Sequence, residues 1–147
     1  MQQESYNFTK EEGDATYEFV SAGPKGKIRK TIIYQQIPGR TNTYNLAFGD
    51  LDEKNRTIND LTTSNNSDTQ KVLVTVAKTL LDFMNNRLNA IVFATGSTPS
   101  RTRLYQMGIS QFYDEIHLKF NVKGYYNHSW QPFERGRNYQ AFLLKHK

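Results

Sequence analysis

The chain of 147 residues contains no cysteine, which excludes disulfide bonds and thiolate metal sites. No stretch approaches the roughly 18 consecutive apolar residues that a membrane-spanning helix needs. The first residues, MQQESYNFTKEEGDA, are polar and mildly acidic, unlike a secretory signal. The three histidines lack the clustered spacing of metal ligands. These absences predict a soluble, cytoplasmic protein that binds no metal and no membrane.

Aromatic residues are plentiful at 13%, which favours a folded chain over a disordered one. The length suits one domain, and we expect a flexible segment over residues 1–14 followed by a single α+β domain over residues 15–147. The net charge of +5 is unevenly spread, because residues 1–60 carry −1 and residues 61–147 carry +6. A basic C-terminal part suits a phosphate-bearing ligand or a nucleic acid, but it also suits a merely solubilising surface.

Three strands are predicted in the first third of the chain. TYEFVSAG (Thr16–Gly23) and KGKIRKTIIYQQI (Lys25–Ile37) meet around AGPKG, which is typical of a hairpin. TYNLAFGDL (Thr43–Leu51) alternates apolar and polar residues and predicts a third strand. The polar stretch Asp52–Asn66 is predicted to be a loop.

The hydrophobic period then changes to that of a helix. Ser67 and Gln70 have the spacing of a capping box at its start. The apolar stripe that predicts this long helix consists of Val72, Leu73, Val76, Leu80, Phe83 and Met84.

The last third is predicted to alternate strands with one more helix. NAIVFATG (Asn89–Gly96) is a short, continuously apolar strand. Thr98 caps a helix whose first position is Pro99, and that helix is expected to stop near Met107 with Gly108 as its C-cap. IHLKFNVKGYY and YQAFLLKH are predicted strands on either side of the turn WQPFERGRN.

The resulting order is β-β-β-α-β-α-β-β, an α+β fold with a mixed, mostly antiparallel sheet and two main helices. Because a β-α-β step needs a crossover connection, the third and fourth strands should be parallel neighbours.

SRTRLYQMGI, with Leu104–Tyr105 followed by Gly108–Ile109, resembles the signature N-x-x-A-x-x-L-Y-x-x-x-G-F of the Gcn5-related N-acetyltransferases (GNAT), with one residue fewer before the glycine. The order of elements from Thr16 onward is also similar to the central and C-terminal part of the GNAT fold. The resemblance implies that the strands before and after the long helix splay apart. Coenzyme A would lie in the gap, with its pyrophosphate on the helix N-terminus.

Four longer stretches resemble an uncharacterised family of small Bacteroidota proteins, a domain of unknown function. This second resemblance covers most of the chain and implies no chemistry. The stretches are YEFVSAGPKGKIRK, YNLAFGDL, NNSDTQKVLVTVA and VFATGSTPSRTRLYQMGI.

The GNAT resemblance implies roles for particular residues. Tyr105 would protonate the leaving thiolate, although a tyrosine packed on the sheet is an equally ordinary structural residue. Asp50, at the end of the third strand, could activate an amine or simply form a turn. The expected coenzyme A ligands lie in a loop without glycine, where ordinary capping is the alternative, and on the following helix; they are Asn66, Ser67, Asp68, Thr69, Gln70, Lys71 and Arg101.

Two functions therefore stand side by side. The first is an acyl-coenzyme A-dependent N-acyltransferase acting on an amine of a small molecule or protein. The second is a non-enzymatic, GNAT-like binding module for a protein or nucleic acid. The basic hairpin GPKGKIRK suits a nucleic-acid backbone or a solvated sheet edge, and its cations are Lys25, Lys27, Arg29 and Lys30.

Overall fold

The computed structural model describes residues 3–11, 13, 15–59, 65–96 and 98–147. Within these residues the chain forms a mixed α+β fold with a mostly antiparallel, open sheet and three helices. The strands are β1 (Thr9–Lys10), β2 (Thr16–Gly23), β3 (Gly26–Gln36), β4 (Thr43–Asp52), β5 (Thr57–Asn59), β6 (Ile91–Ala94), β7 (Phe120–Tyr126), β8 (Ser129–Pro132) and β9 (Ala141–His146). The helices are α1 (Thr69–Asn85), α2 (Pro99–Gln111) and α3 (Tyr113–Lys119).

The strands follow the spatial order β1-β2-β3-β4-β6-β9-β7-β8, and β5 pairs with the end of β4. The predicted hairpin is confirmed, because β2 and β3 are antiparallel with Gly23 opposite Gly26. The φ angle of Gly26 is +87°, a left-handed conformation that favours glycine at this tight turn.

The predicted parallel neighbours are also confirmed. β4 and β6 pair in parallel from Thr43 opposite Ile91 to Leu46 opposite Ala94, and α1 connects them. The apolar stripe of α1 faces the sheet, where Phe83 and Met84 are fully buried. A helix of this amphipathic pattern covers one sheet face and thereby positions the loop before it over the end of β4.

The sequence prediction missed four elements and misplaced one helix end. Part of the predicted loop Asp52–Asn66 is strand β5, and residues 60–64 of it lie outside the described residues. Trp130 lies in strand β8 rather than in a turn. Residues 116–119, predicted as the start of a strand, belong to the short helix α3, so there are three helices where two were predicted. Strand β1 was not predicted either. These short elements depend on tertiary pairing, which periodicity in a single sequence does not reveal.

Gly108 does not end α2, which continues to Gln111. A Cβ atom at this glycine would lie 3.7 Å from Cδ2 of Leu73, an ordinary van der Waals distance, so the position lies beside α1 without being crowded. The glycine alone is therefore not sufficient to end the helix.

The two predicted helix caps differ in outcome. Thr98 caps α2 as predicted, because its Oγ1 accepts a hydrogen bond from the Arg101 backbone N–H at 3.3 Å. The predicted capping box at α1 is wrong, because Asp68 is the N-cap residue and no side chain caps the helix. Ser67 instead adopts a left-handed conformation with φ +60°.

The N-terminal residues make contacts with the domain, although the predicted boundary between residues 14 and 15 stays a prediction. Tyr6 and Phe8 pack against the core, and β1 pairs with β2. No helix in the described part of the chain is long and apolar enough to cross a membrane.

Candidate functional site

A cavity of about 350 Å³ opens between the first turns of α1 and α2, above strands β3 and β4. The first turns of two helices therefore border the same space. Most of its lining surface is apolar, as is usual for a small-molecule site, although seven of the thirteen lining residues are polar or charged. The lining residues are Lys30, Phe48, Asn65, Asp68, Thr69, Val72, Leu73, Val76, Thr98, Ser100, Arg101, Leu104 and Tyr105.

The edge of β4 beside this cavity is unpaired over three residues. β6 ends at Ala94, opposite Leu46, and β5 begins to pair only at Asp50, opposite Asn59. Among the described residues, no strand pairs with residues 47–49 on this edge, while β3 covers the opposite edge throughout. The parallel pairing of β4 with β6 thus ends at Leu46 and Ala94, and we call the stretch of the β4 edge at residues 47–49, which no described strand pairs, the slot.

Tyr105 reaches this slot from α2. Burial raises its pKa to about 12, and the positive charge of Arg101 opposes that shift. A contact with the backbone of Phe48 also lowers the pKa, to a smaller extent. At neutral pH this phenol stays protonated and acts as a hydrogen-bond donor.

Arg101 anchors α2 to the end of β5. Its Nη2 donates a hydrogen bond to the backbone oxygen of Asn59 at 2.8 Å, and the residue is only 6% exposed. Gly49 makes room for this contact, since a Cβ atom there would lie 3.3 Å from the same nitrogen and 2.7 Å from Cγ2 of Ile58. The guanidinium is thus a fixed positive charge at the rim of the cavity.

Lys30 and Asp50 form a buried ion pair beneath the cavity. Lys30 is 2% exposed, and its Nζ donates to Oδ1 of Asp50. A buried ammonium requires such a partner because the loss of hydration is costly. The carboxylate that the sequence presented as a candidate base is therefore the counter-ion of a buried lysine.

The loop before α1 is tied to the β2–β3 hairpin. The Asn66 side chain donates to the backbone oxygen of Gly26 at 2.9 Å and accepts from the backbone N–H of Lys25 at 2.7 Å. Oδ2 of Asp68 accepts hydrogen bonds from the hydroxyls of Tyr6 and Ser21. Since these side chains bond to the hairpin, the first backbone N–H groups of α1 remain without a side-chain cap.

The structure brings some of the predicted site residues together and separates others. Tyr105, Arg101, Asp68 and Thr69 line the cavity, and Asp50 lies behind it. Gln70 is exposed outside the lining, and Lys71 contacts Glu4 and the Tyr6 ring. The residues predicted as ligands that do not line the cavity are Asn66, Ser67, Gln70 and Lys71.

Lys30 is the site residue that sequence reasoning missed, because it appeared to belong to a basic hairpin surface. The alternation of residues along β3 contained a sign of this role. Lys30 lies two residues before Ile32 and four before Tyr34, so its side chain points to the same buried face as theirs. A lysine on the apolar face of a strand indicates either a buried charged partner or a ligand.

The raised pKa of Tyr105 predicts a measurable pH dependence of stability. The unfolded chain loses this proton near pH 10, whereas the folded chain retains it until about pH 12. The corresponding stabilisation is therefore complete below pH 10 and is lost as the pH rises toward 12. We expect the wild-type free energy of unfolding to fall by about 1 kcal/mol more than that of Tyr105→Phe between pH 9 and pH 11.

Urea unfolding followed by circular dichroism at several pH values measures this difference. Tyr126→Phe serves as the control for the loss of a tyrosine hydroxyl, since Tyr126 is 40% exposed. Parallel curves for wild type and Tyr105→Phe would show that the Tyr105 hydroxyl is not buried in solution.

Comparison with known proteins identifies a family without an assigned activity. A family model described as a family of unknown function, DUF6934, matches residues 2–147. No curated protein and no solved structure matches the chain. In the described residues, no group of three His, Asp or Glu side chains could hold a metal ion.

Proposed function

The chain belongs to the DUF6934 family, whose function is unknown, and we propose that it has a GNAT-like scaffold that binds an acyl-coenzyme A and transfers the acyl group to an amine. The observation that carries the proposal is the slot at residues 47–49 of β4, beyond the point where the parallel pairing with β6 ends. The proposal also takes the chain to be a bacterial protein, as its resemblance to small Bacteroidota proteins implies, and a cytoplasmic one, as its composition predicts.

The cavity suits the narrow, mostly apolar arm of such a substrate. Its volume of about 350 Å³ falls within the range of small-molecule sites, and Val72, Leu104 and Phe48 provide apolar walls. The uncapped N–H groups at the start of α1 suit the pyrophosphate. The carboxylate of Asp68 opposes an anion there, but its hydrogen bonds with the Tyr6 and Ser21 hydroxyls spread its charge.

The substrate supplies a thioester: the amine nitrogen bonds to the carbonyl carbon, the carbon–sulfur bond breaks, and one proton passes from the amine to the sulfur. Tyr105 is the donor aimed at this slot. With a pKa of about 12 it is a weaker acid than a thiol, so it stabilises the developing charge on sulfur by a hydrogen bond rather than by complete proton transfer. Because Lys30 holds the carboxylate of Asp50, the amine proton leaves to solvent water in this scheme, and the coenzyme A thiolate takes a proton from solvent water.

A second candidate function is supported by that same ion pair. Because Lys30 holds the carboxylate of Asp50, the site has a hydrogen-bond donor but no free base among the described lining residues. The Asn66 and Asp68 side chains are likewise bonded to the hairpin and to Tyr6. A scaffold that binds a ligand or a protein partner without transferring an acyl group fits these contacts.

Calorimetry with acetyl-coenzyme A tests the binding step. We expect saturable binding by the wild type, weakened about tenfold (about 1.4 kcal/mol) by Thr69→Phe, which places a ring in the mouth of the cavity. The matched control is Gln70→Phe, because this neighbouring residue is exposed and does not line the cavity. No heat at millimolar ligand, or equal affinities of the two variants, contradicts the proposal.

Release of coenzyme A in the presence of primary amines distinguishes the two candidates. Since the chain has no cysteine, a thiol-reactive dye reports only the released cofactor thiol. Turnover that falls in Tyr105→Phe supports acyl transfer. Binding without turnover for any amine supports the binding module instead.

A further inference from the structure

The sheet has one covered face and one open face. Residues of α1 and α2 line one apolar cavity together with Leu46, Ala94 and Leu144, so both helices lie on the same side of the sheet. Side chains point alternately to the two faces of a sheet. On β6, β7 and β9, the side chains that point away from the helices are half-buried or exposed. No described helix therefore covers the other face of this half of the sheet.

Three aromatic rings lie together on the open face. The centroid of the Trp130 ring is 5.6 Å from that of Phe93 and 5.2 Å from that of Tyr125. Trp130 is 39% exposed, and Leu143 of β9 lies opposite Phe93 in the sheet. We call Phe93, Tyr125 and Trp130 the aromatic platform.

Two lysines flank the aromatic platform on the same face. Lys123 lies two residues before Tyr125 on β7, and Lys145 lies two residues after Leu143 on β9, and both are exposed. Strands β6, β7, β8 and β9 contain no Asp or Glu. The open face thus combines ring surfaces with positive charge and carries no carboxylate on its own strands.

We propose that the aromatic platform binds single-stranded nucleic acid, with bases stacked on Trp130 and Tyr125 and phosphates paired with Lys123 and Lys145. Bases have flat faces that stack on aromatic side chains, and cations beside such rings follow the phosphate backbone. A second copy of the chain fits less well, because a two-fold interface would bring the same lysines toward one another. This site is separate from the cavity between α1 and α2.

Trp130 makes the test specific, because it is the only tryptophan in the chain. Titration with twelve-nucleotide oligouridylate, oligothymidylate and a duplex of mixed sequence is followed by tryptophan fluorescence and by anisotropy of the labelled oligonucleotide. We expect quenching by the single strands and weaker binding of the duplex. Two phosphate contacts predict a loss of affinity of about sevenfold between 50 and 200 mM salt. Comparison of the two single strands shows whether the 2′-hydroxyl contributes.

Two sets of variants test the location. Trp130→Ala should weaken anisotropy-detected binding about tenfold or more, and Lys123→Ala/Lys145→Ala should weaken binding and flatten the salt dependence. The control Lys25→Ala/Lys54→Ala removes the same charge from exposed positions in the β2–β3 and β4–β5 turns, away from β6–β9, and should weaken binding less.

Three results would overturn the proposal. The first is the absence of binding at low salt with up to about 1 mM oligonucleotide, because even non-specific binding is usually tighter than that. The second is binding that does not quench the tryptophan fluorescence, or that loses the same affinity in both lysine double variants. The third is concentration-dependent quenching without nucleic acid, accompanied by dimers in sedimentation, which would assign the face to a second copy.

Discussion

Asp50→Asn is expected to lower the free energy of unfolding by about 3–5 kcal/mol. The substitution keeps the shape of the side chain but removes the charge that neutralises Lys30, which is 2% exposed. An ammonium without its counter-ion must then lose its proton or draw water into the sheet, and either change costs free energy. Urea unfolding followed by circular dichroism at pH 7 measures the loss.

A double variant separates the ion pair from simple misfolding. Lys30→Met/Asp50→Leu replaces both charges by apolar groups, which often leaves stability unchanged or raises it. We expect this variant to recover most of the stability lost in Asp50→Asn. A loss of less than about 1 kcal/mol in the single variant would match an exposed ion pair and contradict burial.

Phe83→Ala is expected to lower the free energy of unfolding by about 3–5 kcal/mol. Phe83 is fully buried, and its ring stacks on Tyr34 with centroids 4.3 Å apart and meets the edge of Tyr44 at 4.9 Å. The guanidinium of Arg87 also lies 4.2 Å from the ring centroid. Truncation therefore leaves a cavity between α1 and the sheet and removes two aromatic contacts and a cation–π contact.

Leu88→Ala is the matched control for Phe83→Ala. Leu88 is 71% exposed shortly after the end of α1, so its truncation should change stability by no more than about 0.5 kcal/mol. The thermal unfolding midpoints of the two variants are compared with that of the wild type. Similar midpoints for both variants would show that α1 does not pack on β3 and β4 through Phe83.

Local patterns were sufficient wherever an element is long or has a strong local signal. The hairpin between Thr16 and Gln36 follows from two alternating runs around a Gly-Pro-Lys-Gly turn. Helix α1 follows from its apolar stripe, and the start of α2 from Thr98 and Pro99. The parallel pairing of β4 with β6 follows from the chirality and length of a crossover connection.

Local patterns failed where a distant partner competes for a group. The predicted capping box is absent because α1 begins after Asp68, and the Asp68 carboxylate is bound by the hydroxyls of Tyr6 and Ser21 rather than by the helix. Gly108 lies within α2, where a Cβ atom would be in ordinary contact with Leu73 of α1. Strand β5 forms because β4 offers an unpaired edge, not because its three residues have a strong pattern.

The sequence alone determined the class of fold, most of its elements and the parallel pair β4–β6, because hydrophobic period, turn residues and crossover chirality act locally or through short connections. Only the tertiary structure decided the candidate site, since burial converts Lys30 and Asp50 from a surface cation and a turn residue into a paired charge. It also decided that Tyr105 meets the backbone of Phe48. Desolvation and contact between residues far apart in the chain depend on packing, and no local pattern encodes them.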